Sequence, residues 1–168
     1  MSSATDHGIA DAPTCFSTPA PALAHRMLWQ ALVDIADTED LGEGPYGHRW
    51  IVPILGGVFI GGEGYEDLRG VVLPGGADRQ LLRADGVKEL DAVYEMRCHS
   101  GELLSIRNRV IIDADRKPER YALSRIEVTA PAGRFAWLNR RIILGSLQPM
   151  RPARAAVLIR GWEVDFAG

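Results

Sequence analysis

Cysteine is scarce in this chain, which has two among its 168 residues. Cys15 falls in a segment rich in Ala, Pro, Ser and Thr, and Cys98 falls in a predicted strand. A disulfide framework is therefore not expected, and a reducing compartment is the default. The first residues also lack the basic and apolar segments of a secretory signal. We expect a cytoplasmic protein.

Long apolar runs and surplus positive charge are also missing. No run approaches the roughly 20 apolar residues that cross a bilayer, so no membrane partner is expected. The net charge is −3, which argues against nucleic acid as a partner. Lysine is rare, with Lys88 and Lys117 against 17 arginines. Arginine suits forked recognition of carboxylates, although a GC-rich genome would give the same bias.

Several motifs of known chemistry are absent. The four histidines show no ligand spacing with one another or with the cysteines, so we expect no metal site. The GEGPYG segment is followed by no Gly-Lys-Ser/Thr, and LGGVFIGGEG lacks the strand-to-helix context of a dinucleotide site. No serine lies in a nucleophile elbow. We therefore expect no cofactor.

Glycine, by contrast, is concentrated. Twelve of the 18 glycines fall between Gly42 and Gly86, between short β-branched runs. Such spacing predicts tight turns, bulges and bent strands. Eight or nine strands with short connections, and no helix, favour a sandwich or a barrel. The glycine pairs Gly56-Gly57 and Gly61-Gly62 favour the barrel, so we predict an all-β, antiparallel, closed barrel of eight to nine strands with an internal cavity.

The domain organisation is simple. Residues 1–21 are predicted to be a disordered N-terminal tail, and residues 22–168 a single barrel domain. FAWLNRRIILGSLQ is predicted to be one of its strands.

A hairpin is predicted between KELDAVYEMRCH and ELLSIRNRVIID, with a two-residue loop at Ser100-Gly101. With that loop Tyr94 pairs with Arg107, and both share one face of the sheet. A one-residue bulge would break this pairing.

The order of several motifs resembles a family of small bacterial and fungal proteins of unknown function. These are LGEGPYGHR, VPILGGVF, LRGVVLPGGAD, DGVKELDAVYEM, IRNR and RFAWLNR, between residues 23 and 164. Its members are similar to allene oxide cyclase-like barrels, which implies an eight-stranded antiparallel barrel with a cavity. Related barrels include cyclases and isomerases that hold a flexible, largely apolar substrate and need no cofactor. Four residues depart from the family's pattern, which implies a rebuilt cavity: Trp50, Leu55, Arg79 and Ser105.

Three residues are candidates for catalysis. Asp78 follows a glycine turn at a strand start and would act as general base if partly desolvated. Tyr94 would donate a proton or hold an oxyanion, and Arg107 would anchor an anion. The alternatives are an Asp78 that bonds its own turn, and a structural pair of Tyr94 with Arg107.

Seven further residues are candidates for substrate binding. Trp137 has core packing as its alternative, and Asn139 the satisfaction of backbone groups. The full set is Trp50, Leu55, Gln80, Ser105, Asn108, Trp137 and Asn139.

The leading hypothesis is a cofactor-independent lyase or isomerase, cyclisation included, that acts on a small, partly apolar metabolite held in the cavity. The alternative is a barrel that binds or carries a small molecule without converting it. A third interpretation is a structural homo-oligomer that packs through RRIILGS and AAVLIRGW.

Overall fold

The computed structural model describes residues 15–167, and strands dominate it. Ten strands are found in this part of the chain: β1 (Leu23–Ile35), β2 (Glu39–Gly44), β3 (Gly47–Gly61), β4 (Gly70–Val72), β5 (Ala77–Leu82), β6 (Lys88–Cys98), β7 (Leu103–Asp113), β8 (Tyr121–Thr129), β9 (Ile142–Pro149) and β10 (Ala156–Phe166). A 3-10 helix, Ala136–Arg140, lies between β8 and β9.

The sheet closes on itself. Antiparallel pairing runs from β1 through β10, β9, β8 and β7 to β6. The short strands β4 and β5 share the next position, since both pair with β3 and β6, and β3 pairs back with β1. The wall therefore has eight positions, and β2 adds a hairpin arm on β3. The predicted all-β, closed antiparallel barrel is confirmed.

A bend in β3 allows this closure. A side chain on Gly57 would place its Cβ 2.1 Å from the carbonyl oxygen of Leu32, and Gly57 has a φ of +147°. Only glycine permits that approach between β1 and β3. The register also shifts at this point, because Asp34 pairs with Gly56 and Ile35 with Ile54. The predicted bulge at Gly56-Gly57 is thus confirmed.

One end of the barrel is filled by large apolar side chains. Its most deeply buried members come from β1, β3, β6 and β7, from the loop after β3 and from the 3-10 helix: Trp29, Phe59, Leu68, Met96, Leu104 and Leu138. Core packing of this density leaves space only toward the other end. The fold therefore confines an internal site to the half of the barrel where β5 ends and β6 begins.

The segment FAWLNRRIILGSLQ is not a single strand, so that prediction is wrong for its first part. Residues 136–140 form the 3-10 helix, and β9 begins only at Ile142. The side chain of Asn139 bonds the backbone of Ala130 and Ala136. Local side-chain to backbone bonds of this kind compete with a sheet ladder.

Part of the predicted tail, residues 1–14, lies outside the described residues, and residues 15–22 are exposed. Over the described stretch 15–167, no helix has both the length and the apolar character that a membrane span requires.

Candidate functional site

A cavity of about 160 Å³ occupies the unfilled half of the barrel. Its walls are formed by the inward side chains of β1, β3, β5, β6, β7, β9 and β10. The polar side chains lie on one side of the cavity, where Leu90 and Val110 stand among them, and the other side is aliphatic. The polar side comprises Asp78, Gln80, Lys88, Tyr94, Asn108 and Arg120, and the aliphatic side includes Val33, Ile35, Leu147, Val157 and Ile159. A mostly apolar cavity with a few convergent polar groups is the usual form of a small-molecule site.

Asp78 faces the cavity from β5. Its Oδ2 accepts a hydrogen bond of 2.6 Å from Nε2 of Gln80, while its Oδ1 is buried and has no hydrogen-bond partner among residues 15–167. Burial raises the pKa of Asp78, and the bond from Gln80 opposes that shift only in part. The carboxylate is therefore a stronger base than an exposed aspartate.

Asn108 lies in the same transverse row as Asp78, two strands away. Asp78 pairs with Ala92, and Ala92 pairs with Asn108. The backbones of Asp78 and Asn108 are therefore roughly 10 Å apart at the usual strand spacing. The small side chain of Ala92 leaves space between them. Asn108 is fully buried, and neither its Nδ2 nor its Oδ1 has a hydrogen-bond partner in the described part of the chain.

Tyr94 forms the floor of the cavity, one inward position deeper on β6 than Ala92. Its side chain is fully buried, and its hydroxyl has no hydrogen-bond partner among the residues that the structure describes. Burial raises the pKa of Tyr94 well above its usual range. The phenol therefore stays protonated and can only donate or accept hydrogen bonds, which suits it to hold a substrate oxygen.

Two cations lie at the mouth, the end opposite Tyr94. Burial lowers the pKa of Lys88, the nearby Asp78 charge raises it, and the Arg120 charge lowers it again. The ammonium of Lys88 stands 4.8 Å from the ring centroid of Trp50. Trp50 in turn packs against His48, with ring centroids 4.4 Å apart. Trp50 thus holds a cation at the entrance.

Arg107 does not share a face with Tyr94, so the predicted pairing is wrong. Tyr94 pairs with Ile106, and Arg107 pairs with Val93 on the outer surface. There the Arg107 guanidinium donates hydrogen bonds of 2.9 and 2.7 Å to Asp91. The predicted anion anchor is therefore outside the cavity.

The reason is the turn between β6 and β7. Cys98 donates its N–H to the carbonyl of Glu102, and Gly101, with φ +105°, donates its N–H to the carbonyl of Cys98. The loop thus has three residues, 99–101, rather than two. One extra residue exchanges the faces of a whole strand. Consequently Asn108 faces inward, while Ser105, another predicted binding residue, is exposed on the outer surface.

Leu55 also lies outside, contrary to the prediction. It is the extra residue of the β3 bulge, between Ile54 and Gly56, and is 57% exposed. Trp137 and Asn139 lie at the closed end, in the 3-10 helix. Trp137 stacks on Tyr65 at 5.7 Å. Neither residue lines the cavity.

Sequence reasoning placed Asp78, Gln80, Tyr94 and Asn108 among the candidates, and the structure brings these four together. It missed Lys88 and Arg120. Lys88 could have been found, because it has the same strand parity as Leu90, Ala92 and Tyr94. Arg120 precedes β8 in a loop, where no periodicity reveals its direction.

A wider, open groove of about 980 Å³ crosses the outer surface and is lined by Leu123, Leu144, Trp162 and several arginines. Its Arg109 and Arg125 form ion pairs with Glu127 at 2.8 and 3.3 Å. Glu127 thus neutralises part of the charge of Arg109 and Arg125. Among the described residues, the inner cavity gathers four buried polar atoms without hydrogen-bond partners, on Asp78, Tyr94 and Asn108, whereas the groove has two, Arg109 Nε and Ser124 Oγ. That difference makes the inner cavity the better candidate for chemistry.

Bacterial proteins are similar to this chain in sequence. A UPF0311 protein of Rhodopseudomonas palustris is 36% identical over 88 residues, and one of Clostridium acetobutylicum is 40% identical over 65 residues. These alignments cover 52% and 39% of this chain. They span about half of the Rhodopseudomonas relative, 55%, and 39% of the Clostridium one.

Solved structures share the barrel. A conserved protein of unknown function from Rhodopseudomonas palustris matches with a TM-score of 0.74 at 29% identity, over 87% of this chain and all of its own. A β-barrel-like protein from Acinetobacter baumannii gives 0.76 at 23%, over 89% of this chain and all of its own. A protein from Penicillium herquei, described as an enzyme, gives 0.67 at 17%, over 89% and 98%. The last two show the fold alone.

The model of a family described as protein of unknown function (DUF3237) matches residues 21–164. The match covers every strand of the barrel wall from β1 to β9 and most of β10. It confirms the resemblance to an uncharacterised family that the motifs indicate, and this chain belongs to the DUF3237 family.

Proposed function

We propose that the protein is an acid–base enzyme, an isomerase or lyase, that acts on a small, partly apolar metabolite within the barrel cavity. One observation carries this proposal. The buried, unpartnered Oδ1 of Asp78 faces the same cavity as the buried, unpartnered hydroxyl of Tyr94. A base and a hydrogen-bond donor that converge on one apolar space are the minimal equipment for proton transfer at carbon.

In the proposed step, Asp78 in its carboxylate form takes a proton from a carbon next to a substrate carbonyl. The electron pair of the broken C–H bond moves toward the carbonyl oxygen and forms an enolate. Tyr94 and the Nδ2 of Asn108 donate hydrogen bonds to that oxygen, which gains negative charge. Where a carbon–carbon double bond is conjugated with the enolate, Asp78 returns the proton to the far carbon of the resulting dienolate, which shifts the double bond and completes an isomerisation. Where the carbon beta to the carbonyl instead bears a leaving group, the enolate pair forms a double bond to that carbon as the leaving group departs with the proton held by Asp78, which completes a lyase step.

Two features of the site support these roles. The raised pKa of Asp78 brings its basicity closer to working pH, where general bases are most efficient. The raised pKa of Tyr94 keeps its proton in place as a donor. The proposed step draws its base and its donors from the chain's own side chains. A solved barrel described as an enzyme, from Penicillium herquei, shares the fold.

The test is deuterium incorporation in a metabolite extract made up in deuterium oxide and analysed by mass spectrometry. The wild-type protein is expected to label or convert at least one compound. Asp78→Asn and Tyr94→Phe are expected to slow that reaction by about a hundredfold or more, the usual weight of general acid–base groups. Arg107→Met, which changes the outer surface only, serves as the matched control and keeps full activity.

Two results would count against an enzyme. Undiminished turnover by a folded Asp78→Asn protein would remove the proposed base. A compound that binds in the cavity and is released unchanged by wild-type protein would favour a carrier.

A further inference from the structure

We propose that the ligand of the barrel cavity is a single-ring organic acid whose ring carries a hydroxyl or an enolisable carbonyl, with the ring oxygen held by Asn108 and Tyr94 and the carboxylate placed at the Lys88–Arg120 mouth. This inference rests on the proposed function, because it names the substrate class of the same site. Four properties of the cavity lead to it: its volume, the distribution of its polar atoms, their donor and acceptor character, and the charge at its entrance.

The volume sets the size of the ligand. The cavity measures about 160 Å³. An apolar protein cavity of about 150 Å³ in another protein accepts one benzene molecule. One six-membered ring therefore fits in the space between Asp78, Asn108 and the aliphatic wall. A second fused ring would have to displace core side chains or project out of the mouth, and cores resist such displacement.

The two walls of the cavity determine where the ligand carries its polar and apolar groups. The polar side chains come from β5, β6, β7 and the loop before β8, whereas β1, β9 and β10 present Val33, Leu147 and Ile159. A ligand that fills the cavity must therefore carry its polar group along one edge and expose an apolar face to the other wall. A planar ring with an oxygen substituent has this form, while a sugar or another polyol does not.

Asn108 decides what the polar group is. Its Nδ2 needs an acceptor and its Oδ1 needs a donor, and no group within the described stretch of the chain supplies either. A hydroxyl or an enol can accept from the amide nitrogen and donate to the amide oxygen. The Tyr94 hydroxyl offers a further donor to the same oxygen. Because buried polar groups without partners are costly, a ligand that satisfies them gains affinity from both effects.

Lys88 and Arg120 indicate that the ligand is negatively charged. Both line the cavity at its mouth, where the Arg120 charge is close enough to disfavour protonation of Lys88. Asp78 is the one acid among the described residues that line this cavity, and its charge favours protonated Lys88, but it lies deeper, beside Gln80. A carboxylate on the outer edge of the ring would offset the repulsion between the two cations and would be held by charge-assisted hydrogen bonds.

The test uses 3-hydroxybenzoate as an unreactive probe, with three analogues that each change one property. Benzoate lacks the hydroxyl, 3-hydroxybenzyl alcohol lacks the charge, and 6-hydroxy-2-naphthoate adds a second ring. Isothermal titration calorimetry is expected to show binding of 3-hydroxybenzoate in the millimolar range or tighter. Each analogue is expected to bind at least about fivefold more weakly, the weight of one lost hydrogen bond or more.

Variants assign the effects to residues. Asn108→Leu is expected to remove the preference for 3-hydroxybenzoate over benzoate. Lys88→Met is expected to remove the preference for 3-hydroxybenzoate over 3-hydroxybenzyl alcohol. Val93→Thr, on the outer face beside Tyr94, leaves both preferences unchanged. Absence of binding at millimolar concentration, equal binding of all four compounds, or preferences that survive in both cavity variants would overturn the proposed ligand class.

The two proposals fail separately. Binding of the probe reports recognition without chemistry, and deuterium incorporation reports chemistry without assuming a ligand. If the probe does not bind while Asp78-dependent labelling occurs, the ligand class is wrong and the enzyme stands. If the probe binds as expected while nothing is labelled, the ligand class stands and the protein is a carrier.

Discussion

Gly76 lies so close to Tyr94 that a methyl group on Gly76 would stand 2.7 Å from the Cβ of Tyr94 and 2.5 Å from the carbonyl oxygen of Val93. Neither neighbour can move aside by rotating a flexible side chain, since one atom is backbone and the other is fixed to it. The missing side chain at position 76 is what allows the Tyr94 phenol to form the cavity floor.

Gly76→Ala should therefore destabilise the barrel. Overpacking of this kind costs about 1–3 kcal/mol, because the β5 and β6 backbones must separate. Urea unfolding followed by circular dichroism measures the loss. Gly44→Ala is the control, since its methyl group would meet only the flexible side chain of Arg49, at 3.1 Å. Equal stability of the two variants would contradict the close packing described.

Two asparagines should differ in how much stability the same substitution costs. Asn139 makes three hydrogen bonds to the backbone of Ala130 and Ala136, so Asn139→Leu is expected to cost about 1–2 kcal/mol of unfolding free energy. The Asn108 amide has no hydrogen-bond partner among the described residues, so Asn108→Leu, a change of similar volume, is expected to alter the free energy of unfolding by less than about 1 kcal/mol. Chemical denaturation of both variants at neutral pH compares them. A larger loss in Asn108→Leu would show that its amide has a structural role.

Asp78 should lower stability as pH rises. Burial raises its pKa in the folded protein above the ordinary value of 3.8, so the folded state holds the proton more firmly than the unfolded state does. The stabilising contribution of the protonated form is complete below pH 3.8 and is lost as pH rises through the folded pKa. Asp78→Asn should therefore match the wild type in acid and exceed it in stability at neutral pH. Unfolding free energies measured across this range test the prediction.

Asp91 supplies the control of opposite sign. The hydrogen bonds from Arg107 lower the pKa of Asp91 below 3.8, so its contribution is present above that pH and is lost in acid. Asp91→Asn should therefore be less stable than the wild type at neutral pH, and the difference should shrink as pH falls. If both aspartate variants shift stability in the same direction, the assignment of one to the interior and one to the surface is wrong.

His48 should titrate above its usual range. Its Nδ1 is 2.8 Å from Glu43 and its Nε2 is 2.8 Å from Asp40, and both contacts favour the imidazolium and raise its pKa above 6.5. The contribution of His48 to the β2–β3 hairpin is therefore complete below pH 6.5 and is lost as pH rises through the folded pKa. Nuclear magnetic resonance titration of the ring protons measures the value.

Glu43→Gln should lower the pKa of His48, because the hydrogen bond to Glu43 makes the largest contribution to the shift. Glu39→Gln, on the same strand but without a bond to His48, should leave that pKa in place. An unchanged titration in Glu43→Gln would mean that the hairpin arm does not hold the ring between the two carboxylates.

The barrel itself could be predicted from the sequence because closure leaves local signals. Gly57 marks the point where β1 and β3 approach, and the alternation in β6 places Leu90, Ala92 and Tyr94 on one face. Such signals depend on neighbours along the chain, which a sequence displays directly. Asp78 could be found in the same way, since it follows a glycine turn at the start of a strand.

The orientation of several candidate side chains could not be predicted, because it depends on single residues elsewhere in the chain. The three-residue loop 99–101 places Arg107 on the outer face of the sheet. The bulge in β3 places the side chain of Leu55 outside as well. A loop of two residues and one of three are both common hairpin connections, so composition does not choose between them. Asn139 likewise redirects the chain through bonds to residues nine positions away.

The three-residue turn at 99–101 restricts this protein more than any one side chain of the site does. Removing a residue from it would carry Arg107 and Arg109 into an interior built from aliphatic groups, and would carry Asn108 and Val110 into solvent. Point substitutions along β7 can therefore vary what the barrel recognises, whereas a deletion in the turn would exchange the lining for the exterior in one event. Binding preference can therefore change gradually through point substitutions, whereas the length of this turn cannot change without loss of the cavity lining.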